Sequence, residues 1–188
     1  MQDHAHFDNP LAGAARMFSG RPKALEHLGS VDEISGWKVA RLISPLDGRF
    51  GGLAFGQYGM SGIARCDFAN DHLPPVVGCE CGFHALDSRS RAEGLLAGRR
   101  AGLVLLKVEL YGTAVKHSLG YRAEEQDVVE IHLPPRCARL TCRATTVGVR
   151  PKGRRWLATC VAHSRPGTVK LAEMHAALGV DVLVLPSE

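Results

Sequence analysis

The chain has 188 residues, of which 45% are hydrophobic and 22% are charged. This composition can bury the core of one ordinary domain, and it excludes a wholly disordered chain. No apolar run approaches the ~20 residues that a membrane span requires, and residues 1–18 lack the cationic and then apolar order of a secretory signal. We therefore expect a cytoplasmic protein that does not engage a membrane.

The order of the predicted elements indicates an α+β fold. Residues 1–18 are small and polar and predict a flexible N-terminal tail, and residues 19–188 are expected to form a single domain. The pattern predicts helices at 22–28, 88–101 and 169–178, a short extended stretch at 53–55, strands at 36–43, 61–68, 103–115, 127–133 and 180–185, and a hairpin of strands at 139–149 and 154–162. About seven strands and three short helices favour a largely antiparallel sheet, open or curled into a small barrel.

Glycine and proline mark two features of the predicted sheet. Gly112 lies inside the strand at 103–115 and predicts a bulge or a bend. Pro134 and Pro135 stop the strand at 127–133. These prolines are the best place for a boundary within the domain, near residues 134–136. A basic hairpin region at 136–165 follows this boundary.

Positive charge is concentrated in one segment of the chain. Between Ile131 and Leu171 there is no Asp or Glu, whereas the rest of the chain is net negative. The segment carries nine basic residues: Arg136, Arg139, Arg143, Arg150, Lys152, Arg154, Arg155, Arg165 and Lys170. Clustered Arg and Lys attract polyanions, so we predict a nucleic-acid-binding surface. Its contacts are assigned to Arg143, Arg150, Lys152, Arg154 and Arg155. In the alternative interpretation, the hairpin is solvated and pairs with acidic residues elsewhere in the fold.

Four residues with metal-ligating side chains fall close together in a loop-rich stretch. They are Cys66, His72, Cys79 and Cys81. Structural zinc takes four Cys or His ligands in a tetrahedron, and a metal stabilises a Gly- and Pro-rich segment that has little core of its own. We therefore predict zinc, in a structural role, as the cofactor. His84 competes with His72 as the nitrogen ligand, and the alternative is that the thiols are simply buried.

A second set of ligand-type residues lies in the basic segment: Cys137, Cys142, Cys160 and His163. The set resembles a zinc ribbon, with one pair of ligands at each end of a hairpin. Against this interpretation, residues 141–147 and 156–162 look like ordinary strands, in which Cys is commonly a small core residue. We favour the core interpretation, and the sequence leaves open whether these residues form a second metal site.

Two short motifs resemble a known group of proteins. Residues 79–85 read CECGFHA, residues 117–124 read HSLGYRAE, and a Gly-Trp pair at 36–37 precedes both. The combination resembles a group of uncharacterised actinobacterial proteins that share a C-x-C-G-aromatic-x-A element, an earlier cysteine and a later H-x-x-G-[YW]-R-A-[EQ] element. The resemblance covers residues 34–135, and no established activity comes with the group. The resemblance implies that three residues act as one functional unit: Cys66, Cys79 and Cys81.

A cluster of polar residues follows the longest predicted strand: His117, Tyr121, Arg122 and Glu124. Such residues can line a ligand-binding pocket, with His as an acid or base, Tyr as a hydrogen-bond donor and Arg as an anion clamp. In the alternative, which we favour, they form a turn in which Gly120 permits the bend, the tyrosine packs and the arginine pairs with a glutamate.

The sequence assigns no catalytic residue, since neither a G-x4-G-K-[ST] loop nor a G-x-S-x-G elbow is present. We favour a metal-stabilised nucleic-acid-binding or regulatory module over an enzyme. In such a module the basic hairpin contacts phosphates, and Trp156 either stacks on a base or packs in the core. The alternatives are a small-ligand sensor or enzyme with a pocket around 117–124, and an interaction module for an acidic protein partner.

Overall fold

The computed structural model describes residues 26–53, 56–66, 72–97 and 102–187. The predicted tail at 1–18 and the start of the predicted helix at 22–28 lie outside these residues. The strands are β1 (Glu26–Ser44), β2 (Arg49–Gly51), β3 (Gln57–Tyr58), β4 (Ser61–Ile63), β5 (Phe83–Leu86), β6 (Leu103–His117), β7 (Gly120–Leu133), β8 (Gly148–Lys152), β9 (Arg155–Thr159), β10 (Val169–Lys170) and β11 (Asp181–Val184). The helical elements are α1 (Arg89–Ala97), α2 (Leu171–Leu178) and a 3-10 turn at Val161–His163.

Three long strands form the centre of the main sheet. β1 pairs antiparallel with β6, from Arg41 opposite Leu103 to Glu26 opposite Lys116, and β6 forms a hairpin with β7. β2 and β3 extend the sheet beyond β1, whereas β4 and β5 pair with β7. Among the described strands only β11 has a parallel partner, which is β7. The prediction of an α+β fold with a largely antiparallel sheet is therefore confirmed.

The main sheet curls back on itself. β5 pairs with β7 over four residues and also joins β1, through the single residue pair of Trp37 and Leu86. The pairing of β1, β6, β7 and β5 therefore returns to its starting strand. Because one link of this circuit is a single residue pair, the described strands form a curled sheet that we do not call a barrel.

Successive side chains of β1 and β6 alternate between two apolar clusters, as the pleat of a strand requires. Ala40 and Leu106 belong to the main cluster. Val39 and Leu105 belong to a second cluster, which also contains Leu96 of α1. The central strands are therefore covered on both faces, which explains why the stretch from 103 to 115 carries so strong an apolar signal.

The bulge predicted at Gly112 is confirmed. The register of β6 against β7 shifts between Tyr111 and Ala114, and Gly112 has a φ of 71°. Glycine adopts this left-handed conformation without a Cβ clash. A carboxylate oxygen of Glu124 accepts a hydrogen bond from the Thr113 N–H at 3.1 Å, so a side chain satisfies a backbone donor at the bulge.

A second sheet, ordered β10-β8-β9, begins after the predicted boundary at Pro134 and Pro135. Val149 of β8 and Val169 of β10 nevertheless belong to the same apolar cluster as Ile131 of β7. The second sheet therefore packs onto the core of the first sheet. The basic segment, which contains the second sheet, shares this core.

The helices follow the sequence predictions in part. The helix predicted at 88–101 is found as α1, with residues 98–101 outside the described part of the chain, and the helix predicted at 169–178 is found as α2. The helix predicted at 22–28 is wrong where the structure describes it, because residues 26–28 belong to the extended start of β1. Neither described helix has the length and apolar character needed to cross a membrane.

Two of the predicted strands are shorter than expected. The strand predicted at 61–68 ends as β4 at Ile63, and residues 67–68 lie outside the described residues. The strand predicted at 139–149 is wrong over most of its length, because β8 begins only at Gly148. The residues ahead of Gly148 instead form the loop of the second ligand cluster. The extended stretch predicted at 53–55 falls mostly outside the described residues.

Candidate metal centres

The first predicted ligand set comes together in space. The ligand atoms of Cys66, His72, Cys79 and Cys81 all lie within 4.8 Å of one another. The Sγ atoms of Cys66 and Cys79 are 3.6 Å apart, and His72 Nε2 is 3.3 Å from Cys81 Sγ. A tetrahedral zinc with Zn–S bonds of ~2.3 Å holds its sulfurs about 3.8 Å apart. The cluster is therefore consistent with a metal ion bound by three Cys and one His.

Backbone hydrogen bonds position the two ends of this ligand set. The Ala64 N–H donates to the Glu124 carbonyl at 2.7 Å, which attaches the segment between β4 and Cys66 to β7. The Cys79 N–H donates to the Val76 carbonyl at 3.1 Å, which closes a turn just ahead of the Cys-x-Cys pair. Ligands that are distant in sequence are therefore brought together by contacts to one strand and one turn.

Gly82, directly after Cys81, has a backbone conformation that favours glycine. Its φ is 108°, in a region that residues with a Cβ rarely adopt. A Cβ at this position would lie 3.1 Å from the Pro75 Cβ and 3.2 Å from the Ala123 carbonyl oxygen. Glycine therefore lets the chain turn from the ligand loop into β5 without backbone strain and without crowding these neighbours.

Arg122 of β7 binds the backbone of the same ligand loop. Its Nη1 donates hydrogen bonds to the backbone carbonyls of Cys79 and Cys81. Arg122 is only 4% exposed, so its charge is held beside the thiols rather than in water. A divalent ion with three thiolates carries one net negative charge, which this guanidinium offsets. Such supporting contacts orient the ligands of metal sites.

The thiols of the first cluster differ in how readily they ionise. Burial raises the pKa of the Cys81 thiol to about 11, and neighbouring Cys79 adds to the rise. Burial also opposes ionisation of Cys79, but hydrogen bonds from Cys81 and Cys66 and the charge of Arg122 hold the pKa of Cys79 below its ordinary value. Cys79 therefore becomes a thiolate more readily than Cys81, and a metal must displace the proton of Cys81.

His84, the competing nitrogen ligand, does not belong to the cluster. Its Nε2 lies 2.8 Å from the Glu80 carbonyl oxygen, to which it donates. Burial lowers the pKa of His84 to about 4, so its ring is neutral near pH 7. The structure thus favours His72 over His84 as the nitrogen ligand.

The second ligand set also comes together, which corrects the preference for core cysteines. The ligand atoms of Cys137, Cys142, Cys160 and His163 all lie within 4.8 Å of one another. The Sγ atoms of Cys142 and Cys160 are 3.8 Å apart. His163 Nδ1 is 3.2 Å from Cys160 Sγ and 3.6 Å from Cys137 Sγ. These separations again suit tetrahedral ligands of one metal ion.

Short turns build the second cluster. The Cys142 N–H donates to the Arg139 carbonyl at 2.9 Å, which closes a turn inside the first ligand pair. The 3-10 turn at Val161–His163 lies within the second pair. The Ala138 N–H donates to the Ala158 carbonyl at 2.9 Å and ties the first turn to β9. Turns, rather than the two predicted strands, therefore carry the ligands.

The basic segment contains all four ligands of this second cluster. Its side chains are exposed at Arg139, Arg143, Lys152, Arg154 and Arg155, and half-buried at Arg150. In the β8–β9 hairpin, Lys152 lies directly opposite Arg155. Among the described residues, none of these six side chains forms an ion pair with an acidic group. The pairing with acidic residues that the alternative interpretation requires is therefore not seen for these six side chains.

Trp156 packs inward. It is half-buried and lies against the main apolar cluster, directly opposite Pro151 in the hairpin. Successive residues of a strand point to opposite faces, so Trp156 and Arg155 face different sides of β9. Of the two roles that the sequence allowed for this residue, core packing is the one that matches its contacts.

The four polar residues predicted to line a ligand pocket each contact a different part of the structure. Tyr121 packs against the main apolar cluster, as the alternative interpretation expected. The turn that this interpretation placed here is wrong beyond residue 119, because residues 120–124 belong to β7. Arg122 holds the carbonyls of the first cluster rather than a glutamate, and Glu124 binds the backbone at the bulge. His117 Nδ1 accepts a hydrogen bond from the Leu119 N–H at 3.4 Å. Binding of a ligand by these residues stays a prediction.

The two motifs of the actinobacterial resemblance lie side by side. β5, from the first motif, pairs with the start of β7, from the second. The pairs are Phe83 with Ala123, His84 with Arg122, Ala85 with Tyr121, and Leu86 with Gly120. A Cβ on Gly120 would collide with the backbone of β5. The motif residues therefore form one structural unit beside the first cluster.

No protein-family model, curated protein or solved structure matches this chain. The resemblance to the actinobacterial group accordingly stays a prediction.

Proposed function

We propose that each Cys3His cluster holds one structural zinc ion. Four protein ligands complete a tetrahedron and leave no position for water, which is the arrangement of structural rather than catalytic zinc. Thiolates also favour zinc over the hard cations Mg²⁺ and Ca²⁺. All six cysteines are free of disulfide bonds, as ligation requires, and we place the protein in the cytoplasm, where thiols stay reduced.

We propose further that the basic segment binds nucleic acid. The observation that carries this proposal is the pair formed by Lys152 and Arg155 across the β8–β9 hairpin. Like charges directly opposite one another destabilise a hairpin, and no acidic group among the described residues offsets them. A phosphate group bound here would remove this repulsion, because it supplies the missing negative charge.

The second zinc would hold this surface in place. Cys160 directly follows β9, while Cys137 and Cys142 precede β8. An ion shared by these residues fixes the base of the hairpin, so that the arginines at its tip are presented by a rigid support. A surface that is ordered before binding loses less conformational entropy when it engages a partner.

The contacts of this surface are expected to be with phosphates rather than bases. Phosphate contacts position a protein on nucleic acid and carry no direct sequence information. Trp156 packs against the core and does not supply the aromatic platform on which unpaired bases stack. We therefore expect binding that tolerates changes of sequence and weakens steeply with salt.

Fluorescence anisotropy with labelled single- and double-stranded oligonucleotides tests the nucleic-acid proposal. One variant reverses the exposed charges at the hairpin tip and spares half-buried Arg150. Its changes are Lys152→Glu, Arg154→Glu and Arg155→Glu. A matched control makes the same charge change at exposed positions outside the segment. Its changes are Arg49→Glu, Arg65→Glu and Lys116→Glu. We expect the hairpin variant to lose binding and the control to keep it.

Two results would contradict this proposal. Unchanged binding in the hairpin variant would show that these residues are not the contact surface, and equal losses in both variants would show only a response to net charge. Capture of an acidic protein that survives nuclease treatment, without oligonucleotide binding, would instead support the acidic-partner alternative.

A further inference from the structure

The amine of Lys38 lies inside the curled sheet among polar and aromatic groups. Lys38 Nζ donates to Gln126 Oε1 at 2.7 Å, and it lies 4.3 Å from the ring centroid of Tyr58 and 5.0 Å from that of Phe83. Within the described residues, no Asp or Glu forms an ion pair with it. A buried amine is ordinarily paired with a carboxylate, so this environment lacks its usual anion.

Two further donors in the same place lack acceptors among the described residues. Gln126 is 1% exposed, and its Nε2 is buried without a hydrogen-bond partner, as is the hydroxyl of Tyr58. The orientation of the Gln126 amide is fixed, because Lys38 needs an acceptor and only Oε1 provides one. Nε2 of the same amide is therefore within about 5 Å of Lys38 Nζ.

The three side chains come from three different strands. Lys38 is on β1, Tyr58 on β3 and Gln126 on β7, so the fold has to be complete before they meet. Desolvation lowers the pKa of Lys38 to about 7, and desolvation raises the pKa of Tyr58, so the phenol keeps its proton near neutral pH. The place thus offers more N–H and O–H donors than partners for them, and no described carboxylate pairs with the amine, so it favours an anion over a cation.

We propose that Lys38, Tyr58 and Gln126 form a binding site for a small carboxylate. One carboxylate oxygen accepts from the Lys38 amine, and the other reaches the Gln126 amide or the Tyr58 hydroxyl. The short apolar part of the ligand lies against the rings of Tyr58 and Phe83, which already meet edge to face with their centroids 6.0 Å apart. None of these three residues belongs to either ligand cluster or to the basic segment.

NMR titration of the full-length protein with sodium acetate tests this site. The side-chain NH2 signal of Gln126 is followed in ¹H–¹⁵N spectra, with sodium chloride and sodium phosphate added at equal ionic strength as comparison arms. We expect a saturable shift with acetate and no saturable shift with chloride or phosphate. A response to phosphate alone, or no saturable response to acetate, would overturn the proposal and leave ordered water as the filling of the site.

Substitutions at Lys38 and Tyr58 test whether acetate binds at this site. Lys38→Met keeps the length of the side chain and removes the amine, and we expect it to weaken acetate binding about ten-fold or more. Lys107→Met is the matched control, because Lys107 pairs with Glu130 at 2.9 Å elsewhere on the sheet. Should Lys38→Met fail to fold, Tyr58→Phe removes only the hydroxyl and is expected to weaken binding several-fold. Equal affinity in the folded variants and in the control would overturn the proposal.

Discussion

The guanidinium of Arg122 donates a hydrogen bond to the backbone carbonyl of Cys79, across 43 residues of sequence. The contact joins the start of β7 to the chain segment between β4 and β5, which carries all four ligands of the first cluster. It also holds a positive charge beside thiols that ionise on metal binding. β7 and the ligand loop are thereby coupled, so a substitution in β7 that removes this contact is expected to affect the first cluster.

Removing this guanidinium should weaken the first site alone. Arg122→Met keeps an apolar stem and loses both carbonyl contacts and the charge, so we expect zinc affinity of the first site to fall about 10- to 100-fold. The second site, which Arg122 does not contact, should keep its affinity. Competition with a chromophoric chelator measures both sites in one titration.

Arg91→Met is the control for this substitution. Arg91 is an exposed residue of α1 that pairs with Asp87 at 3.0 Å, so its loss removes a charge without touching either cluster. Equal zinc affinities in Arg122→Met and Arg91→Met would contradict the supporting role assigned to Arg122.

The salt dependence of nucleic-acid binding should report on the hairpin tip. Replacement of both Lys152 and Arg155 by Met removes two phosphate contacts, so the slope of log affinity against log salt on duplex DNA should become shallower by about 1.8. Anisotropy titrations at several potassium chloride concentrations measure this slope. A double variant with Arg65→Met and Lys116→Met should keep the parent slope, and an unchanged slope in the hairpin variant would argue against phosphate contacts there.

The stability of the fold should rise with pH because of Lys38. Its pKa is lowered to about 7 by desolvation in the folded state, whereas the unfolded chain keeps the ordinary value near ~10.4. Between these two values the unfolded state binds more protons, so the free energy of unfolding increases by up to about 1.4 kcal/mol per pH unit. Urea unfolding from pH 7 to pH 9 measures the increase.

Lys38→Met should remove this rise, since the variant has no amine to titrate, and should be more stable than the parent at pH 7. The pH dependence that other groups contribute is common to both proteins and cancels in their difference. A parent and variant whose stability curves run parallel from pH 7 to pH 9 would show that the amine is not desolvated.

The contact between β5 and β7 should tolerate no side chain at Gly120. A Cβ there would collide with the Ala85 carbonyl and lie 2.7 Å from the Leu86 Cα, and backbone cannot move away as a side chain can. We expect Gly120→Ala to cost about 3 kcal/mol or more in unfolding free energy. Gly94→Ala is the control, because its Cβ meets nothing within 4 Å and Ala favours a helix by about 1 kcal/mol. Equal stabilities of the two variants would refute the steric argument.

The sequence predicted β6, the second halves of β1 and β7, and the first ligand set, because these signals are local. A dense run of apolar residues marks β6 from residue 103 to residue 115, and four ligand-type residues from Cys66 to Cys81 are unusual in a short loop. The bulge at Gly112 was predictable for the same reason, since a glycine within a strong strand pattern has few other uses.

The second cluster was predicted less well because its residues look like strand residues. Thr, Val and Arg around Cys142 have the composition of a hairpin, but Leu140 is fully exposed and turns replace the ladder. Only the three-dimensional approach of Cys137 to His163 distinguishes ligands from core cysteines. A metal-centred loop has no periodicity that a sequence pattern can report.

Lys38 and Arg122 were beyond sequence reasoning for a related reason. A lysine within a strand is ordinarily solvated, and the sequence marks no partner for it. One signal was present: Lys38 has the same parity along β1 as Ala40 and Leu42, which are buried in the main cluster. Arg122 binds backbone carbonyl groups, which every loop possesses. No pattern of residue types in the sequence therefore predicts its role.

The most direct test of the two-zinc account is the metal content of the purified protein, measured by mass spectrometry. The account predicts two zinc ions per chain in the parent, one in His72→Asn, one in Cys142→Ser, and two in the matched control His84→Asn. A parent protein without bound zinc, or a His84→Asn variant that loses an ion while His72→Asn keeps both, would contradict it.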